Sequence, residues 1–174
     1  MLTIGYLRSF SKRYGGLRRL ALVDAAGVVS ARFVRRTASF SAITLNDGYE
    51  FRSFELPEDQ GLLSETATLR DGVFTVEHRL TIAVEGLGVQ ESMAISALAA
   101  RCEGIVALLE TNSGERLLAG YSPELGTESA LRLAEVNGAS GAAPLDTPIR
   151  TLTLAVSDGA LFRPFTGDVP SWIL

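Results

Sequence analysis

The chain is short of the residues that carry most protein chemistry. Its 174 residues include one cysteine, Cys102, and one histidine, His78. A lone cysteine excludes an intramolecular disulfide framework and fits folding in a reducing compartment. These two residues also fall short of the ligand set of a zinc site. Lysine is nearly absent: Lys12 is the only one, and every other basic residue is arginine. No apolar run approaches the roughly 20 residues of a membrane helix, so no span is expected. The opening Met1–Tyr6 lacks a charged leader, an apolar core and a cleavage site in that order, so no signal peptide is expected.

What is present is globular. Apolar residues make up 47% and charged residues 21%, a balance that supports one core without disulfides or metals. The net charge of −4 hides an asymmetry. Residues 1–36 carry Arg8, Lys12, Arg13, Arg18, Arg19, Arg32, Arg35 and Arg36 against Asp24 alone, about +7, leaving about −11 for the remainder. Arginine suits paired, half-buried contacts better than lysine does. Three readings follow: a solvated basic face, a patch for an acidic partner surface, or one for nucleic acid.

Turn chemistry recurs along the chain at Asp24-Ala25-Ala26-Gly27, Asn46-Asp47-Gly48, Asp71-Gly72, Asn112-Ser113-Gly114, Asn137-Gly138 and Asp158-Gly159. Gly supplies positive φ and Asn or Asp tolerates it, so each reads as a hairpin tip. The runs between them have strand character: Leu17–Val23, Val28–Val34, Ser39–Leu45, Gly48–Leu56, Ser64–Leu69, Val73–Val84, Ile105–Glu110, Arg116–Tyr121 and Thr151–Val156. In Val73–Val84 the residues Phe74, Val76, His78, Leu80, Ile82 and Val84 fall on one face.

One segment breaks the alternation. Gln90–Glu103 is rich in Ala and Leu and free of Gly and Pro, with Ala94, Leu98 and Cys102 on a shared face. It predicts one helix of about three turns, residues 90–103, stopped by Gly104 and packed on a sheet. Leu56–Leu63 and Asn137–Pro148 read as loops. Met1–Gly16 reads as an arm that orders on contact with a neighbour, and residues 17–174 as one domain. Some ten short strands and one helix predict a mainly β fold: a β-sandwich or partly open barrel of two packed antiparallel sheets with a flanking helix.

No catalytic constellation emerges. His78 lies on an apolar strand face, where a core or interface histidine with one satisfied nitrogen outweighs a catalytic one. Cys102 on the apolar helix face reads as a packed thiol. The Glu58-Asp59 pair lacks the oxygen spacing of a calcium loop. Gly15-Gly16 and Gly86-Leu87-Gly88 lack the companions of a phosphate loop, and the second pair reads as the bend between strand and helix. No cofactor is expected, and no enzyme.

The order of elements carries a resemblance. A long strand, Phe74–Glu85, precedes the helix Gln90–Cys102. Two strands then surround Asn112-Ser113-Gly114 within Gly104–Tyr121. A Gly/Ala-rich loop, Gly138–Asp146, leads to the closing run Thr151–Phe165. Together with Gly15-Gly16-Leu17, Tyr49–Phe54 and Glu65–Leu69, this order resembles tail tube (major tail) proteins of phages and prophages. The likeness spans about Gly15 to Phe165 and is one of element order. The chain departs from the pattern in Ser157–Ala160, where a charged segment is usual, and in its Arg-rich first third.

The resemblance implies a β-sandwich with a flanking helix that closes into rings, usually hexameric, which stack into a tube. The tube would pass DNA through its lumen without binding it tightly. It implies a virion tail protein assembled in the host cytoplasm, with itself and other tail proteins as partners and no membrane. Stacking needs two different complementary faces. The candidates are Arg8, Arg13, Arg18, Arg19, Arg35 and Arg36 on the basic side, and Pro57, Glu58, Asp59, Leu62 and Leu63 in the loop expected to touch the next ring. The competing readings are a tail terminator or head–tail connector, a monomeric β-sandwich that binds a ligand or carbohydrate, and a small hydrolase.

Overall fold

The computed structural model describes residues 15–54, 56, 60–143 and 145–168. The arm expected over Met1–Gly16 lies outside them up to residue 14, as do Arg8, Arg13, Pro57, Glu58 and Asp59. The fold is mainly β, with antiparallel sheets and one α-helix among the described residues.

The eleven strands are β1 (Leu17–Asp24), β2 (Val28–Val34), β3 (Ser39–Leu45), β4 (Arg52–Phe54), β5 (Gly61–Arg70), β6 (Val73–Glu85), β7 (Ile105–Thr111), β8 (Arg116–Ala119), β9 (Arg132–Ala139), β10 (Ile149–Asp158) and β11 (Arg163–Pro164). The helix α1 covers Val89–Ala99. A five-stranded sheet in the order β11-β8-β7-β1-β4 forms the centre. A four-stranded sheet, β5-β6-β10-β9, packs on one face, and the hairpin β2–β3 packs on the other.

The hairpin makes a third layer that the two-sheet expectation lacked, and alternation in the central strands accounts for it. Leu20 and Leu22 of β1 and Ile105, Ala107 and Leu109 of β7 meet Leu80, Ile82, Leu152 and Leu154 of the four-stranded sheet. The intervening Ala21, Val23, Val106 and Leu108 meet Val28 and Phe40 of the hairpin. A strand covered on both faces needs no polar residue, so β7 is one apolar run, Ile105–Leu109, before Glu110. Each fully buried leucine here contributes about 1.5–3 kcal/mol over an exposed one.

The turn signals mark changes of direction, and only two of the six close hairpins: Asp71-Gly72 joins β5 to β6, and Asn112-Ser113-Gly114 joins β7 to β8. Asp24–Gly27 instead forms a 3-10 corner, with Asp24 Oδ1 accepting from the Ala26 amide at 3.1 Å, and carries the chain from the central sheet to the third layer. Asn46–Gly48 brings it back, since β3 pairs with β2 and β4 with β1. Asn137 and Gly138 sit inside β9, opposite Thr151 and Arg150. Asp158-Gly159 leads from β10 across to β11 in the central sheet. The β2–β3 turn, Arg35–Ala38, has no Gly, Asn or Asp; Ala38 takes φ +49°, and the Thr37 amide donates to Val34 O at 3.2 Å.

The helix also departs from expectation. It ends at Ala99, not Glu103, because Ile105 must enter β7 opposite Asp24 and residues 100–104 are spent on the crossing. Gly104 belongs to that crossing, at φ +91°, and a Cβ there would lie 2.8 Å from the Ala130 Cβ. Cys102 is therefore off the helix and exposed, not packed. Ile95 and Leu98 are the α1 side chains that rest on the core, each partly buried.

Leu109 is fully buried in the larger core. Leu109→Ala should cost about 2–5 kcal/mol in a urea unfolding titration. Leu62→Ala, on an exposed side chain of β5, should change it by less than about 0.5 kcal/mol.

Candidate self-assembly surface

Strands β5 and β6 pair from Gly61↔Ile82 to Arg70↔Val73, and the outer part of this hairpin outreaches the core. Val76 is the last buried residue of β6 toward the tip, and β5 is exposed throughout Glu65–Arg70. Asp71 and Gly72 adopt φ +52° and +78°, the pair of positive values that a two-residue hairpin turn requires. Three apolar side chains stand at this tip in water: Leu69 at 72% exposure, Val73 at 64% and Phe74 at 45%. Apolar side chains grouped on a projecting hairpin mark a contact surface more than a fold requirement.

Among the described residues the same sheet has two open borders. β5 pairs only with β6, and β9 only with β10. Unpaired strand edges present rows of N–H and C=O groups ready for another strand. The central sheet blunts its own borders differently, ending in β4 and β11 of three and two residues.

The face of the four-stranded sheet turned away from the core is rich in hydroxyls. By register it carries Ser64, Thr66 and Thr68 of β5, Thr75 and Thr81 of β6, and Thr151, Thr153 and Ser157 of β10. Its charges balance: Arg70, Arg79 and Arg132 against Glu77, Glu85 and Glu135. Arg79 donates to Glu77 at 2.8 Å.

The described basic residues of the first third are spread over two layers. Arg18 and Arg19 lie on β1, where Arg18 is exposed and stands 3.7 Å from Glu110, a carboxylate that Arg116 also approaches at 3.7 Å. Arg35 and Arg36 are exposed at the β2–β3 turn, in a different layer. Leu62 and Leu63, expected in a loop, belong to β5; Leu62 faces outward and Leu63 packs toward the core. The tip residues Leu69, Val73 and Phe74 were not singled out from sequence, where their alternation looks like that of a half-buried strand.

His78 is buried on the core side of β6. Its Nε2 lies 2.9 Å from Ala160 O, and its ring lies against Phe162 with centroids 4.3 Å apart. Glu65 accepts from the Phe162 amide at 2.8 Å. Together they clip the crossing from β10 to β11 onto the four-stranded sheet, which is the structural role expected of a strand-face histidine. Among the described residues no group of three or more His, Cys, Asp or Glu could hold a metal ion. The surface offers main-chain hydrogen bonding, apolar contact and a neutral hydroxyl face.

Beside the open edge of β9, the following loop is fastened by Asp146, whose carboxylate accepts from the Ala142 and Ala143 amides at 2.7 Å each. These two bonds hold its pKa below the ordinary 3.8. A depressed carboxylate stabilises the loop above its unfolded pKa and loses that effect as pH falls through the folded one. Amide exchange at Ala142 and Ala143, followed by NMR, should therefore be slow at neutral pH and speed up below pH 3.8 beyond the intrinsic trend. Asp146→Ala should remove the difference.

Among the described residues no helix is long and apolar enough to cross a membrane. Comparison with known proteins found no matching family model, no matching curated protein and no matching solved structure.

Proposed function

We propose that this chain is a structural, self-assembling subunit of the phage or prophage tail-tube kind, forming rings that stack into a channel for DNA. One observation carries the reading: among the described residues the four-stranded sheet has an even number of antiparallel strands and both of its borders are open. Its two edge strands, β5 and β9, therefore run in opposite directions. Copies related by rotation about an axis along the strands bring β9 of one beside β5 of the next in antiparallel register. Such a joint repeats until the ring closes and no border is left.

The remaining surfaces fit that assembly. The hydroxyl-rich, charge-balanced face of the sheet would line the lumen. It offers a polyanion few fixed positive charges to grip, so DNA passes without the strong salt-dependent attachment that arginine clusters give. The Leu69, Val73 and Phe74 tip projects past the body and would meet the next ring, in place of the Leu56–Leu63 loop expected from sequence.

Size-exclusion chromatography and negative-stain microscopy test this. Rings that stack into tubes are expected from the purified chain. Leu69→Lys with Phe74→Lys should leave the urea midpoint near wild type and the rings intact while abolishing stacking. Wild-type rings that never stack would point to a terminator or connector. A chain that stays monomeric at the highest attainable concentration would overturn the reading in favour of a ligand-binding sandwich.

A further inference from the structure

A shallow hollow of about 520 Å³ lies at the start of α1. Leu87, Gly88, Val89, Ser92, Met93 and Ser96 line it, and none of them is charged. Val89 is 76% exposed, Met93 66% and Leu87 40%, so the fold does not spend these side chains on its own core. Two neighbouring ionised groups are held by the chain itself. Glu91 lies against Gly86 and Gly88. Arg150 donates to Ser92 Oγ at 2.8 Å and to Leu87 O at 3.4 Å, which ties the bend before the helix to its first turn.

Its place in the fold selects what covers it. Strand β6 is the longest among the described residues, thirteen residues from Val73 to Glu85. The Leu69, Val73 and Phe74 tip stands at its first residues, and the hollow follows its last through Gly86–Gly88. The ends of such a strand are roughly 40 Å apart. One end thus carries an apolar projection and the other an apolar depression. Unlike surfaces at opposite ends of one chain make a heterologous contact, which repeats head to tail. The chemistry matches as well. Methionine is an adaptable side chain that favours aromatic edges, and Phe74 is the aromatic of the tip. Arg70 and Asp71 stand 3.7 Å apart, so residues 69–74 bring no net charge to an uncharged hollow.

We propose that the hollow is the seat for the β5–β6 tip of a second copy, with Phe74 against Met93, and Leu69 and Val73 against Leu87 and Val89. The seat is the receiving surface for the tip contact proposed above, and so rests on the self-assembly reading. One tip in one hollow is a small contact: three side chains fall well short of the roughly 1,200 Å² that a stable pair buries. Two free chains therefore part readily. The contact holds when a ring presents several tips at once, since each seated tip raises the effective concentration of the others. The same weakness keeps unassembled chains apart.

Crosslinking between copies tests it. Cys102 is exposed and is first replaced, Cys102→Ala. Copies with Arg70→Cys at the tip are then mixed with copies carrying Gln90→Cys beside the hollow, both exposed positions that leave the proposed contact intact. A short bifunctional thiol reagent should join them at least about tenfold faster than it joins Arg70→Cys to Thr44→Cys on β3, because seating raises the effective concentration of one thiol at the other. Val89→Lys with Met93→Lys should remove that excess and abolish stacking, while rings and the urea midpoint stay as in wild type. Met93→Leu should keep both the excess and the stacking. Joining no faster than the Thr44→Cys control would overturn the proposal, and so would tubes from the double-lysine variant. The tail-tube reading fails by a different result, a chain that never forms rings, whereas the crosslinking rate needs two copies and no ring.

Discussion

Strands β1 and β7 lie side by side, and each sends alternate side chains into two different cores. That double commitment organises the molecule. The four-stranded sheet is held by Leu20, Leu22, Ala107 and Leu109, and the β2–β3 hairpin by Ala21, Val23, Val106 and Leu108. Smaller contacts add to this: α1 rests on the four-stranded sheet's core through Ile95 and Leu98, and Phe165 packs with the hairpin. The small residues on these strands, Ala21 and Ala107, let the layers approach closely, and Phe40 fills the hairpin side with its ring at 5.3 Å from Phe33 and 5.7 Å from Tyr121.

Closure of the centre on both faces still leaves apolar side chains in water around the periphery, among them Val29, Leu62, Leu125, Val136, Leu145 and Leu161. The β5–β6 tip and the outward side of the helix carry more of them, Leu69, Val73 and Phe74 at the first and Val89 and Met93 on the second. The exposed face of α1 carries Val89, Gln90, Met93, Ala94, Ser96 and Ala97, with no charge among them. Its one ionised side chain, Glu91, folds back against Gly86 and Gly88. Arg150 ties the same end of the helix down through Ser92 Oγ at 2.8 Å.

Most strands were legible in the sequence because alternation and β-branched content are local properties. Leu17–Val23, Val28–Val34, Ser39–Leu45 and Val73–Val84 all form strands close to the expected bounds. Pairing was less legible. Asn46-Asp47-Gly48 has the chemistry of a tip, but β2 takes the strand before it and β1 the strand after it, and a turn signal carries no information about that competition. Arg35–Ala38 makes a real hairpin without any of the usual residues, so nothing local announced it. The helix end was misread for a related reason: Gly104 does adopt positive φ, but to start a strand, not to end a helix. The placement of the basic first third was not legible either: the fold puts Arg18 in the central sheet and Arg35 at the turn of the third layer. The exposed tip was hidden because exposure depends on where the core stops, which only the packing reveals.

Strand parity has a consequence for polarity. With four strands the two edges of the outer sheet are antiparallel, so a joint between unlike edges leaves every copy facing the same way. Five strands would make the edges parallel to one another; antiparallel joining would then need like edges to meet, and successive copies would alternate upside down. A ring closed by joints between unlike edges of an even sheet would thus have a top and a bottom, with every β5–β6 turn at the same rim. Growth from such a rim, if rings stack as proposed, would have a direction built in before any other component is added.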